Sequence, residues 1–401
     1  MKIAITCFNL GWLAGGPRLI FEQARGMQKL GHKVVIYAPD FDSKIYPQLS
    51  QGLDIRTVRF GKPIFGKDTS NSILKRIQRK FGDEHAQMAV ARAMADALDA
   101  DTDVLNCHDT SYRIAPLYKE RNPKGKVLWT MHEPPFGYLP KSDVLYDILS
   151  RLFNWWRNIS IRKYFKFIDA VVVVNERNAE WVRSRGLKVG IVRPGVESDQ
   201  FYGPVKPRRA GDKKVSILCV GAPNKYRRFE DTIRAVGILR QEGYDARVTV
   251  LGKNIWNENE YCEFLKSIAR DGGFADRATF RFEGVDEKEL VRIYHESDVF
   301  TLMIHLPPPR NGYGWQLTGF EAMAAGLPVV ISRRIDSVEM LEDGVTALFV
   351  DPESPGQVAE RIKWLVDHPA EYAKIAAAGQ KLVREKLTWE QYARGLLDLV
   401  G

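Results

Sequence analysis

The sequence predicts an α/β protein built from two doubly wound domains in succession, and three observations carry that prediction. Apolar runs of strand length alternate with helix-period segments from one end of the chain to the other. The rhythm breaks at residues 198–214, where SDQFYGPVKPRRAGDKK strings together prolines, glycines and charges in the manner of a linker. The length of 401 residues is too great for one compact core and suits two.

Each element follows from its residues. Met1 leads directly into KIAITCF, so no leader peptide is expected, and the first strand closes at Phe8. Gly11, Gly15, Gly16 and Pro17 then precede a helix over 17–30, and glycines at a strand–helix junction let backbone approach a ligand. Their spacing is not GxGxxG, which argues against a dinucleotide dehydrogenase. KVVIYAP, DIRTVRF, DVLNCHD, VLWTMH, AVVVVN and GIVRP continue the first half. Two of these runs end on histidine, at His108 and His132, and carboxyl ends of strands form the ligand edge of an open α/β sheet. After the break come SILCVG, ARVTVLG, ATFRFEG, VFTLMI, PVVIS and ALFV, separated by amphipathic stretches. Helices are expected at 353–368 and 369–386, and a last one after Thr388, an N-cap candidate followed by Glu390 and Gln391.

Composition narrows the class. Hydrophobic residues at 45% and charged ones at 27% fit a soluble globular protein, and no apolar run approaches the ~20 residues of a membrane span. Cys7, Cys107, Cys219 and Cys262 show no metal or redox spacing; core thiols in a cytoplasmic chain are expected. A formal charge of +9 permits nucleic acid, an anionic membrane or an anionic substrate as partner, and the absence of zinc or RNA-binding signatures makes nucleic acid the weakest.

The densest chemistry lies in GYGWQLTGFEAMAAGLPVV, residues 312–330. Phe320 to Ala325 are helix formers, Gly326 suits the left-handed helix stop, and Pro328 forbids continuation. Gly312, Gly314 and Gly319 leave the loop ahead little bulk, so amides from Gln316 through Leu317 and Thr318 to Gly319 can point at an anion and add to the helix dipole. Glu321, one turn in, can accept hydrogen bonds from sugar hydroxyls. Diphosphate at the helix mouth and ribose beside the carboxylate describe a nucleotide-sugar.

FEAMAAGLPVV resembles the signature of the family 4 retaining glycosyltransferases, and the resemblance runs through almost the whole chain. It implies the GT-B fold: two Rossmann-like domains facing across a cleft, with the last helix crossing back to the first. On this reading residues 1–203 with 388–401 form the acceptor-side domain and 204–387 the nucleotide-sugar domain. The activity implied is transfer of a hexose, with retention and without a metal or cofactor, to a hydroxyl of a glycan or glycolipid. Gly15 and Gly16 match the loop facing the donor diphosphate, and LGHKVVIYAP after them is typical of the family. His132 matches the position against the transferred sugar, with Glu133 and Asp109 as acceptor-binding candidates; His108 reads as structural. In LCVGAPNKYRRFEDTIRAV, Arg227 stands at the position of the diphosphate-binding lysine, while Ala222 replaces the usual arginine and Lys225 or Arg228 can compensate. Gly284 and Val285, in FEGVDEKEL, match the segment that reads the nucleobase. The family's paired glutamates become Tyr313 and Glu321, a change that puts the sugar's identity in question. Arg334-Ile335-Asp336 replaces a common glycine pair, and Glu339 reads as structural.

Residues 145–169, LYDILSRLFNWWRNISIRKYFKFID, set Leu149, Leu152, Phe153 and Trp156 at helical spacing among Arg151, Arg157, Arg162 and Lys163. Two readings fit: a helix lying on the inner, anionic face of a membrane, or an ordinary packed helix. Two rivals to the transferase also stand, a nucleotide-sugar 2-epimerase of the same architecture and a degenerate sugar-nucleotide-binding protein.

Overall fold

The structure is a computed structural model that describes residues 1–8, 10–11, 15–44, 46–58, 73–132, 152, 155–305 and 315–401. It divides into two compact units, Met1–Arg193 with Trp389–Gly401, and Pro194–Thr388.

The first unit holds a parallel sheet of β1 (Lys2–Thr6), β2 (Lys33–Ala38), β3 (Asp54–Thr57), β4 (Val104–His108), β5 (Lys126–Thr130), β6 (Ala170–Val173) and β7 (Val189–Ile191). Its order is β3-β2-β1-β4-β5-β6-β7. The winding reverses between β1 and β4, where Ile3 pairs with Val104 and Thr6 with Cys107. Both faces are covered, which is why the central strands are apolar without alternation. On one face Val35, Leu105, Trp129 and Val171 pack with Val90, Met94 and Tyr112. On the other, Ile3, Ile5, Ile36 and Val172 pack with Phe21, Met27, Trp389 and Tyr392. The last helix, Trp389–Leu397, therefore shares a core with the Gly15–Lys29 helix of the first unit, as the resemblance implies.

The second unit repeats the plan with β8 (Lys214–Val220), β9 (Asp245–Leu251), β10 (Ala278–Arg281), β11 (Val299–Leu302), β12 (Val329–Ser332) and β13 (Leu348–Val350), in the order β10-β9-β8-β11-β12-β13. Its reversal lies between β8 and β11, with Ile217 opposite Val299. Residues 194–203, which the sequence reading placed in the first half, are held in the second unit: the Val196 amide donates to the Leu387 carbonyl at 2.9 Å, and Phe201 buries its ring edge-on to Tyr294. All four cysteines are buried free thiols, and burial pushes the Cys107 thiol up to about 12 and Cys219 to about 11.

Candidate functional site

In the second unit the sequence-predicted residues collect at the carboxyl ends of β8, β10 and β11. β8 runs into Gly221, whose φ of 151° and close neighbour require glycine: a Cβ there would strike the Arg227 guanidinium. Gly221 donates its amide to the Leu251 carbonyl at 2.8 Å, and Gly252, after β9, leaves no room for a Cβ against the Gly221 carbonyl. Gly252 in turn donates to Arg281 and Asn254 to Phe282, each at 3.0 Å, so the loops after β8, β9 and β10 are fastened side by side. Gly284 follows with φ 81°.

The basic run after Gly221 separates into three different environments. Asn224 caps a 3-10 turn over Lys225–Arg227 by accepting the Tyr226 amide. Lys225 is exposed. Arg228, at φ 52°, is engaged by carboxylates of Asp231 at 2.9 Å, Glu353 at 3.0 Å and Glu230 at 3.3 Å. Arg227 has no such company: its Nε and Nη1 are enclosed and lack a hydrogen-bond partner among the described residues. Two enclosed guanidinium nitrogens without an acceptor are costly, and a cation just ahead of the Phe229–Gln241 helix opposes that helix's dipole; an anion would relieve both.

The helix read from Phe320 begins three residues earlier, at Leu317, with Gln316 as an extended N-cap that makes no side-chain cap bond. Leu317, Thr318 and Gly319 therefore form the first turn, where amides have no intrahelical acceptor. No acidic side chain occupies that turn, and the Thr318 Oγ1 is enclosed without a partner among the described residues. Trp315 stacks on Phe320 with ring centroids 4.9 Å apart. Glu321 is 4% exposed, and the Tyr294 hydroxyl lies 3.1 Å from its Oε2 and 3.2 Å from the Thr318 carbonyl. One hydroxyl proton shared between those acceptors ties the carboxylate to the first turn. Tyr313 lies outside the described residues, and Val285, like Leu290 and Val291, packs partly buried against the core of the second unit.

In the first unit the carboxyl ends of β4 and β5 bring His108, Asp109 and His132 together. The His132 Nδ1 is 3.1 Å from both Asp109 carboxylate oxygens, and its amide donates to Oδ1 at 3.2 Å. Asn178 Nδ2 donates to the His132 carbonyl at 3.1 Å, and Trp129 Nε1 to the Asp109 carbonyl at 2.8 Å. Asp109 holds a left-handed φ of 48°, a strained conformation for a residue with a side chain. Its surroundings alone would raise the carboxyl through desolvation, but the charge and hydrogen bonds of His132 bring it below the ordinary value. His108 stands 5.4 Å from the His132 ring, fully enclosed, and burial with the nearby His132 drives it down to about 3, so it is neutral. Gly15 and Gly16 open the helix after the first strand, and Glu133 lies outside the described residues.

Three residues of these clusters were not found from the sequence. Gly252 repeats the strand–glycine pattern of Gly221 and Gly284 and could have been. Tyr294 and Asn178 sit inside helices and reach Glu321 and His132 only through the fold.

Elsewhere in the first unit Leu152, Trp155, Trp156 and Ile159 are exposed, Trp155 by 64%. Arg162, Lys163 and Lys166 beside them are exposed too, whereas Ile161 and Tyr164 turn into the core. Arg157 leans toward Glu84 at 3.9 Å, and Leu149, Arg151 and Phe153 lie outside the described residues. Among the described residues no helix is long and apolar enough to cross a membrane.

Comparison with known proteins bears on both units. Residues 13–200 match the model of "Glycosyltransferase Family 4", and residues 214–368 that of "Glycosyl transferases group 1". The GDP-mannose-dependent alpha-(1-6)-phosphatidylinositol monomannoside mannosyltransferase of Mycobacterium tuberculosis is 26% identical over 52% of this chain and 54% of its own. The mannosylfructose-phosphate synthase of Agrobacterium fabrum is 25% identical over 95% of this chain and 85% of its own. The chain spans about half the length of the first curated relatives it matches. Among solved structures, Anabaena HepE in complex with UDP and glucose superposes with a TM-score of 0.72 over 99% of this chain and 98% of that one, at 12% identity. That likeness concerns the fold.

Proposed function

The chain belongs to the family 4, group 1 glycosyltransferases, and from that premise we propose that it moves a hexose from a nucleotide-diphosphate sugar to a hydroxyl of a glycan or glycolipid. The observation that carries the proposal is Arg227, whose Nε and Nη1 are enclosed against Gly221 at the end of β8 with no hydrogen-bond partner among the described residues. A diphosphate satisfies that guanidinium and the first-turn amides of Leu317, Thr318 and Gly319 together.

In this reading the second unit holds the donor. Glu321, braced by Tyr294, accepts the ribose hydroxyls, Gly284 and Val285 meet the base, Gln316 and Lys225 meet the sugar and phosphates, and the family resemblance assigns Tyr313 to the donor as well. Arg228 is occupied by its carboxylates and serves the turn rather than the ligand. As the glycosidic bond breaks, negative charge grows on the leaving diphosphate, and Arg227 with the helix amides meets it without calling for a metal. In the first unit Asp109 orients His132 through Nδ1, and the family resemblance assigns His132 to the transferred sugar, the Gly15–Gly16 loop to the diphosphate and Glu133 to the acceptor. Attack on the face the leaving group departs from gives retention.

Incubation with a panel of nucleotide-sugars and candidate hydroxyl acceptors tests the proposal. Acceptor-dependent release of nucleoside diphosphate is expected. Sugar epimerisation without transfer would make the chain an epimerase, and binding without either reaction a degenerate binding protein.

The exposed Trp155–Trp156 face supports a further part of the proposal, attachment to an anionic lipid surface that carries the acceptor. Each of Arg162, Lys163 and Lys166 near the surface adds about 1 kcal/mol. Flotation with anionic vesicles, lost with neutral ones and weakened by salt, is expected. Binding left intact by replacing both tryptophans with alanine would refute this face as the attachment site.

A further inference from the structure

His305 lies three residues past Leu302, the last residue of β11, beside the reversal of winding between β8 and β11 where ligands of open α/β sheets bind. Its amide donates to the Tyr226 carbonyl at 2.8 Å, which fixes the residue against the turn that carries Arg227. That contact is made by the backbone, so it does not require an imidazole. The ring is half-buried, and its Nδ1 is enclosed with no hydrogen-bond partner among the described residues. Enclosed polar atoms are nearly always satisfied, and Nε and Nη1 of Arg227, the residue after Tyr226, stand in the same condition. These nitrogens, unsatisfied among the described residues and carried on two segments joined by the His305–Tyr226 backbone bond, share one remedy, an acceptor with several oxygens.

We propose that His305 is a ligand of the donor diphosphate, its Nδ1 donating a hydrogen bond to a phosphate oxygen beside Arg227. An imidazole can carry its proton on Nδ1 at little cost, so the bond needs no change of charge. The proposal rests on the donor reading above and adds to it a contact specific to the phosphates.

Calorimetric titration separates the two. Wild type, His305→Ala and His305→Gln are titrated with a panel of nucleoside diphosphates and with the matching nucleosides. His305→Ala is expected to weaken the preferred nucleoside diphosphate by roughly tenfold to a hundredfold while leaving the nucleoside unchanged. His305→Gln, which keeps a side-chain N–H, is expected to recover part of the loss. Equal diphosphate affinity in all three proteins overturns the role of His305 and leaves the donor reading standing, as does an equal loss for nucleoside and diphosphate. If wild type binds no member of the panel, the donor reading falls and takes this proposal with it. A melting temperature that drops in His305→Ala, with diphosphate binding unaltered, marks the ring as structural and also overturns the proposal.

Discussion

Replacing Tyr294 by phenylalanine isolates one hydrogen bond at the proposed ribose site. The hydroxyl is removed from a fully buried ring whose packing, edge-on to Phe201 and stacked on Phe300, remains in place. What is lost is the donor 3.1 Å from Glu321 Oε2 and 3.2 Å from the Thr318 carbonyl. A hydrogen bond to a charged acceptor contributes about 1.5–3 kcal/mol, and Glu321 is too enclosed for bulk water to replace it. Part of that loss should appear as reduced stability of the free protein. Part should appear as weaker donor binding, about tenfold or 1.4 kcal/mol, because the carboxylate no longer has a fixed orientation. The assay is calorimetry with the preferred nucleoside diphosphate on four proteins: wild type, Tyr294→Phe, Glu321→Gln and the double variant. If the tyrosine acts through Glu321, its removal costs little once the carboxylate is gone, and the coupling should exceed about 0.5 kcal/mol. Additive losses, or a Tyr294→Phe protein with unchanged affinity, would refute the reasoning and leave Tyr294 as a core residue only.

Other expectations follow from the same geometry. Arg227→Ala should lower turnover more than donor affinity, since diphosphate charge grows in the transition state; a raised KM with turnover intact would reassign the guanidinium to ground-state binding. For His108, the folded value of about 3 lies below the ordinary 6.5, so the neutral ring stabilises the protein fully above 6.5. As pH falls from there toward 3, the unfolded chain takes up a proton that the folded one refuses. Stability should then decline by about 1.4 kcal/mol per pH unit from this group alone. Denaturant titrations should show a shallower acid slope in His108→Asn, and an unchanged slope would mean that His108 opens to water.

The strands were legible because both faces of a parallel sheet are covered, which writes each central strand as a continuous apolar run. KIAITCF, AVVVVN and SILCVG fall on β1, β6 and β8, and the run PVVIS falls on β12. Helix starts were less legible. Leu317 and Thr318 lie in the first turn and not in a loop, because an extended Gln316 serves as N-cap without a side-chain bond that a residue-type rule would detect. The site was legible where one segment carries it, as in Gln316–Glu321. It was not legible where the fold brings distant segments together. Arg227 and Arg228 are equivalent by type, and only the neighbours Asp231, Glu230 and Glu353 distinguish them. Asp109, read from the sequence as a group for the acceptor, is bonded to His132 across 23 residues of chain. Tyr294 reaches Glu321 across 27.

If the second unit holds a nucleoside diphosphate on the loops after β8, β9 and β10 and on the helix that starts at Leu317, hydrogen exchange with and without the nucleoside diphosphates of the panel will reveal the footprint. A bound nucleotide is expected to slow exchange at residues 221–228, 252–254, 283–285 and 315–321. Protection confined to other segments, or none with any nucleotide, would contradict it.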